Sequence, residues 1–65
     1  MKTICEIYKE GMGWVLECTS NSVTTCMDGY RSKIDAQYAM RVKLWGGPFL
    51  TPLQAEQDRP DGWMP

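Results

Sequence analysis

The stretch "DGYRSKIDAQYAM", residues 28–40, decides the fold because it contains the change from strand to helix. Asp28-Gly29 is a turn-forming pair that predicts the end of a strand. Ser32 is a favoured helix-capping residue type, and the carboxylate of Asp35 suits the first helical turn. Residues 33–45 contain no glycine or proline, whereas the three residues that follow are Gly-Gly-Pro. We therefore predict one long helix over residues 33–45.

Three short runs upstream of this helix have the composition and alternation of strands. They are "TICEIYK" (3–9), "WVLECT" (14–19) and "VTTCM" (23–27). β-Branched and aromatic residues alternate with polar ones in these runs, and "EGMG" and "SNS" separate them as turns. The sequence thus predicts an α+β fold, a three-stranded antiparallel meander covered by one helix.

The predicted helix carries two apolar stripes, although a single sheet can cover only one. The first stripe is Ala36, Met40 and Leu44, with Ala39 beside it. The second stripe is Ile34, Tyr38, Val42 and Trp45. We predict that the second stripe forms an interface with the chain's own tail, with a second copy or with a partner, and that Trp63 belongs to the same interface.

The C-terminal tail, residues 48–65, contains all four prolines. "PFL" predicts a short strand. Thr51 followed by Pro52, with Gln54 three positions after the cap, predicts a short helix that ends before Pro60. We interpret the chain as a single domain in which residues 1–47 form the core and residues 48–65 pack on the core or on a partner.

Length and charge exclude several classes of protein. The 65 residues carry seven basic and eight acidic side chains, a net charge of −1. A generic nucleic-acid binder would be more basic, and a DNA mimic much more acidic. No run of about 18 apolar residues could span a membrane, and the N-terminus has no apolar signal-peptide core. These features predict a cytoplasmic protein without membrane contact.

The three cysteines, Cys5, Cys18 and Cys26, are an odd number, and the chain contains no histidine. A zinc site normally needs four thiolate or imidazole ligands, so we expect no metal and no cofactor. An odd count also disfavours a disulfide framework. We expect all three thiols to be reduced in a reducing cytosol, with Cys5 and Cys18 buried beneath the helix.

The sequence offers no catalytic residues. Without histidine there is no imidazole base, and the cysteines fall in strands, away from a helix N-terminus that would lower a thiol pKa. We therefore predict that the protein is not an enzyme. The basic residues could form a mild strip beside two tyrosines, which makes a nucleic-acid contact an alternative. That contact would use Lys9, Arg31, Lys33, Arg41 and Lys43.

Residues 5–44 resemble the YegP-like family of small uncharacterised bacterial proteins. The resemblance rests on a Cys-Glu-Ile strand, a Trp-led second strand, a turn with Asn21 and above all "GYRSKIDA", residues 29–36. It implies a meander, a helix and a final strand exchanged between subunits or repeats, with no established catalytic residues. The chain departs from the family pattern at Ser22 and in its long Pro-rich tail.

Protein binding is the function that these patterns favour. The chain has more large apolar side chains than one thin core needs, and aromatic residues and methionine are enriched at interfaces. We predict a non-enzymatic protein-binding module. A narrower hypothesis, based on chain size, is an inhibitor from a phage or mobile element that blocks a host defence or nucleic-acid-processing complex. The alternatives are a homodimeric YegP-like housekeeping protein and a weak nucleic-acid binder.

Overall fold

The computed structural model describes residues 2–65, so only Met1 of the predicted core lies outside it. The described chain has the predicted α+β architecture. The elements are β1 (Ile4–Glu10), β2 (Gly13–Ser20), β3 (Val23–Tyr30), α1 (Lys33–Leu44) and α2 (Pro52–Asp58). The strands form an antiparallel sheet in the order β1-β2-β3. Neither helix of the described chain is long and apolar enough to cross a membrane.

Tight two-residue turns join the strands. Residues 11–12 connect β1 to β2, and Asn21 and Ser22 connect β2 to β3 with φ angles of 55° and 65°. Left-handed residues are what a two-residue hairpin needs, because its twist must match that of the strands. The turns set the register, which places Cys5 opposite Cys18 and Glu6 opposite Glu17.

The prediction that Asp28-Gly29 ends the third strand is wrong, since β3 runs on to Tyr30. Trp14 pairs with Tyr30 while Leu16 pairs with Met27, so Val15 alone faces two residues of β3. This is a β-bulge, and the φ of 90° at Gly29 supplies the left-handed residue that such a bulge accepts.

The bulge aims Tyr30 into the core. Its side chain is fully buried and its hydroxyl donates a hydrogen bond to the carbonyl oxygen of Leu50. Burial raises the pKa of Tyr30 to about 12. The end of β3 is thereby tied to the start of the tail.

Helix α1 begins as predicted. The Ser32 hydroxyl accepts a hydrogen bond from the Asp35 amide at 3.3 Å. Small residues of the first stripe, Ala36 and Ala39, are fully buried and let the helix lie close to the sheet. The core they share is made of Leu16, Cys18, Tyr30, Ala36, Ala39, Leu50 and Ala55.

The tail is only partly as predicted. The described residues 48–50 form no strand; Leu50 is instead buried in the core and accepts the Tyr30 hydrogen bond. The short helix is confirmed as α2. Thr51 and Gln54 form a reciprocal capping box, with distances of 3.2 Å to the Gln54 amide and 3.0 Å from the Thr51 amide.

The expectation of three reduced cysteines is wrong for two of them, because the structure joins Cys5 and Cys18 in a disulfide. The register places them directly opposite each other on the side of the sheet that faces the helices. Cys18 is buried and Cys5 half-buried, while Cys26 is free and exposed. The cysteines therefore do not indicate a reducing cytosol.

Candidate functional site

The middle of the second stripe is covered by the tail of the same chain. The Tyr38 hydroxyl donates a hydrogen bond to Oδ2 of Asp58 at 2.9 Å. The Tyr38 ring also meets the ring of Trp63 edge to face, with centroids 5.2 Å apart and planes at 85°. This hydrogen bond and the negative charge of Asp58 raise the pKa of Tyr38. The tail thus supplies one of the partners that the sequence left open.

A partly buried ion pair holds the tail in this position. Asp35, one turn before Tyr38, is almost fully buried, and its Oδ1 accepts a hydrogen bond from Nε of Arg59 at 2.8 Å. A buried carboxylate needs such a partner, since an unpaired charge in the interior is strongly disfavoured. Arg59 directly follows α2, so the pair fastens α2 to the N-terminal half of α1.

The two ends of the second stripe differ in exposure. Ile34 is half-buried at its start. Val42 is half-buried as well, with its side chain close to Gly47. Trp45 is 73% exposed, and its neighbour Leu44 is also exposed. We call Leu44 and Trp45 the Trp45 patch.

The structure brings together two of the five basic residues proposed for a nucleic-acid contact. The ammonium groups of Lys9 and Lys33 lie 6.0 Å and 5.9 Å from the centroid of the Trp14 ring. Within residues 2–65, neither forms a salt bridge. Arg31 is engaged elsewhere, because its guanidinium lies 3.3 Å from the Glu56 carboxylate.

Arg41 and Lys43 lie apart from this group, in the last turn of α1. Both are half-buried and precede the Trp45 patch in sequence. Positive charge at this position is favourable, because the exposed carbonyls of a helix C-terminus carry partial negative charge. The five basic residues therefore do not form one strip but divide among three places: the Trp14 ring, the Glu56 carboxylate and the last turn of α1.

Both helices of residues 2–65 lie on one side of the sheet and neither lies on the other, a difference that the sequence did not indicate. We call the side that faces α1 and α2 the covered side, and the opposite side the open side. Glu6 and Glu17 lie directly opposite each other on the open side. The pKa of Tyr8 is raised by burial and by the nearby Cys26 and Glu17. The alternation of β1 already separated Glu6 and Tyr8 from Cys5 and Ile7, but nothing in it showed that no layer would cover them.

A shallow groove of about 360 Å³ runs between residues 48–50 and α2. Its lining is Pro48, Leu50, Gln54, Gln57 and Asp58. Carboxamides can donate and accept hydrogen bonds but do not transfer protons at neutral pH. The single carboxylate of Asp58 already accepts a hydrogen bond from Tyr38, so we assign no chemistry to the groove.

Comparison with known proteins gives no match to a family model, to a curated protein or to a solved structure. The resemblance to the YegP-like family, carried by the octet at residues 29–36, therefore stays a prediction.

Proposed function

We propose that this chain is a non-enzymatic protein-binding module whose main contact is the Trp45 patch. The observation that carries the proposal is the 73% exposure of the Trp45 side chain. Tryptophan is among the residue types that contribute most to binding energy at protein interfaces. Leaving so large an apolar surface in water is costly, and a partner that covered it would recover that free energy.

The backbone beneath this patch is well ordered by hydrogen bonds. The amide of Gly46 donates to the carbonyl of Lys43 at 3.0 Å, and that of Gly47 donates to the carbonyl of Val42 at 2.9 Å. The helix itself is packed on the sheet through its alanine stripe. A side chain held on such a rigid element loses little conformational entropy on binding, which supports affinity.

The basic residues near the Trp45 patch indicate the charge that a partner surface should carry. Arg41 and Lys43 precede it in the last turn of α1, and neither forms a salt bridge within residues 2–65. We infer a protein partner with an apolar pocket for the indole and carboxylates around that pocket. The narrower proposal is that the partner is a cytoplasmic host defence or nucleic-acid-processing complex and that this chain, from a phage or mobile element, blocks it. The small size of the chain supports this form.

Substitution of Trp45 tests the proposal. The matched control is Met12→Ala, which removes another highly exposed apolar side chain from the β1–β2 turn. With a partner isolated on the immobilised protein, Trp45→Ala should weaken binding by about 30-fold, the effect of losing an anchor worth about 2 kcal/mol. Met12→Ala should bind as the wild type does. Equal affinity of Trp45→Ala and wild type in calorimetry would exclude Trp45 as the contact.

A second candidate function is the binding of single-stranded nucleic acid near Trp14. The observation that favours it is the convergence of Lys9 and Lys33 on one indole, with neither ammonium in a salt bridge within residues 2–65. Ammonium groups neutralise phosphates, and the release of counterions makes such binding dependent on salt.

An oligonucleotide titration at several salt concentrations tests this second function. If both lysines contact phosphates, Lys9→Gln combined with Lys33→Gln should reduce the slope of log K against log salt by about 1.4. Arg41→Gln combined with Lys43→Gln is the control that removes the same charge at the other basic site. The same loss of slope in both double variants would mean that Trp14 marks no particular site.

A further inference from the structure

The two edges of the sheet differ in charge. The outer strand β1 carries Glu6, Lys9 and Glu10, whereas residues 23–27 of β3, "VTTCM", carry no charge. Charged side chains on an edge strand discourage the addition of another strand, because the charges would be buried or opposed. Charged side chains therefore disfavour the addition of a strand to β1, whereas the first five residues of β3 carry no such charges.

The uncharged part of β3 is also uncovered. Val23 is 64% exposed although it lies on the covered side of the sheet, in register with Ser20. Met27, four residues further on the same side, is half-buried and packs against the core. The helices therefore shield one end of β3 and leave the other end open.

Helix α2 lies at the shielded end. Its first residue, Pro52, approaches Gly29, and Glu56 in its middle meets Arg31 just after β3. Leu53 lies one turn before Glu56 and so belongs to the same face of α2. This leucine is 62% exposed. An exposed aliphatic side chain thus lies near each end of β3. At the start it is Val23 of the strand itself, and near the end it is Leu53 of α2.

We propose that two copies of the chain pair their β3 edges antiparallel about a two-fold axis at Thr25. The two three-stranded sheets then form one continuous sheet, with all four helices on the same side. Gly29 near the end of β3 in each copy then lies close to the β2–β3 turn of the other copy. Leu53 of the partner subunit is thereby brought to the side of the sheet that bears Val23, and the symmetry repeats this contact.

When β3 pairs antiparallel with β3 of a second copy, the facing side chains of residues 23–27 are all uncharged. About Thr25, Val23 faces Met27 of the partner subunit and Thr24 faces Cys26 of the partner subunit. The first charged residue, Asp28, faces an uncharged serine, so no like charges are opposed. The two-fold axis also brings Val23 of each copy to the side of Leu53 of the other copy, whereas an unrelated strand would supply no such aliphatic contact. Every strand stays within its own sheet, so this is not an exchange of strands.

Opposite charges at Thr25 provide the test. Thr25→Lys places two lysines directly opposite each other at the axis and should weaken the dimer by about tenfold or more, and Thr25→Glu should do the same. An equimolar mixture of the two variants should restore the dimer in sedimentation velocity. Ile4→Lys, which adds a charge to the β1 edge, should leave the dimer constant unchanged. A wild type that stays monomeric at high micromolar concentration overturns the proposal, as does failure of the mixture to dimerise.

Cross-linking gives an independent readout of the register. Thr25→Cys in a Cys26→Ser background should form a disulfide-linked dimer under mild oxidation, because the two sulfurs meet at the axis. Ile4→Cys in the same background should stay monomeric under these conditions. Equal cross-linking of both variants would overturn the pairing. Trp45→Ala should not change either result, which separates this dimer from the proposed partner contact.

Discussion

Leu16 and Val15 are neighbours in β2, and both are almost completely buried, yet they stabilise the fold in different ways. Leu16 points to the covered side and belongs to the core beneath the helices, whereas Val15 points to the open side and lies outside that core. Tyr8 on β1 is opposite Val15, and the bulge of β3 passes on its other side. Equal burial can therefore come from a packed second layer or from the sheet's own side chains.

Truncation of Leu16 and Val15 to alanine should show most strongly how the packing of the covered side differs from that of the open side. Leu16→Ala should lower the free energy of unfolding by about 3 kcal/mol, since the helices cannot collapse fully into the cavity. Val15→Ala should cost about 1 kcal/mol, because the flexible Tyr8 side chain can move into the space. Urea denaturation measures both values. If the two substitutions cost the same per carbon atom removed, the open side is packed as firmly as the core.

Two tyrosines extend the comparison to alkaline pH. The pKa of Tyr30, on the covered side, is raised to about 12 from an ordinary value of 10.0. A raised folded-state pKa means that the neutral hydroxyl stabilises the fold at lower pH. This contribution is complete below pH 10 and is lost as the pH rises from about 10 to 12. A shift of this size corresponds to about 3 kcal/mol.

Tyrosine-to-phenylalanine substitutions test this pH dependence. Tyr30→Phe should cost about 1 kcal/mol near neutral pH, because the Leu50 carbonyl loses its buried hydrogen bond, and should flatten the loss of stability above pH 10. Tyr8→Phe, on the open side, should keep the steep alkaline loss. The measurement is the urea midpoint at a series of pH values. A Tyr30→Phe curve parallel to that of the wild type would contradict the assignment.

Features of the fold that depend on adjacent residues could be predicted from the sequence. Ser32 and Thr51 both cap helices as expected, since a cap needs only a side chain and an amide two or three positions away. The three strands followed from alternation. The bulge at Gly29 was not predicted, because a glycine after an aspartate is equally typical of a turn.

Features that depend on register were harder to predict. The sequence placed Cys5 and Cys18 on one face, and a two-residue turn at residues 11–12 sets them opposite each other. The odd number of cysteines nevertheless suggested reduced thiols, because a count ignores which pair the strands align. The sequence grouped Trp63 with the second stripe but left its partner open, and the Tyr38 ring does meet Trp63. The hydrogen bond from Tyr38 to Asp58 spans twenty residues, and no local pattern indicates it.

The smallest expected effect lies on the open side, where Glu6 and Glu17 oppose each other across β1 and β2. Like charges in directly opposite positions destabilise a sheet, and no helix layer shields this pair from water. Glu6→Lys should therefore raise the free energy of unfolding by about 0.5 kcal/mol. High salt should remove most of the gain, because ions screen exposed charges. Glu10→Lys, which makes the same change of charge opposite an uncharged glycine, is the control, and urea denaturation at low and high salt measures both. If both substitutions stabilise the chain equally, the gain comes from its net charge and not from the opposed pair.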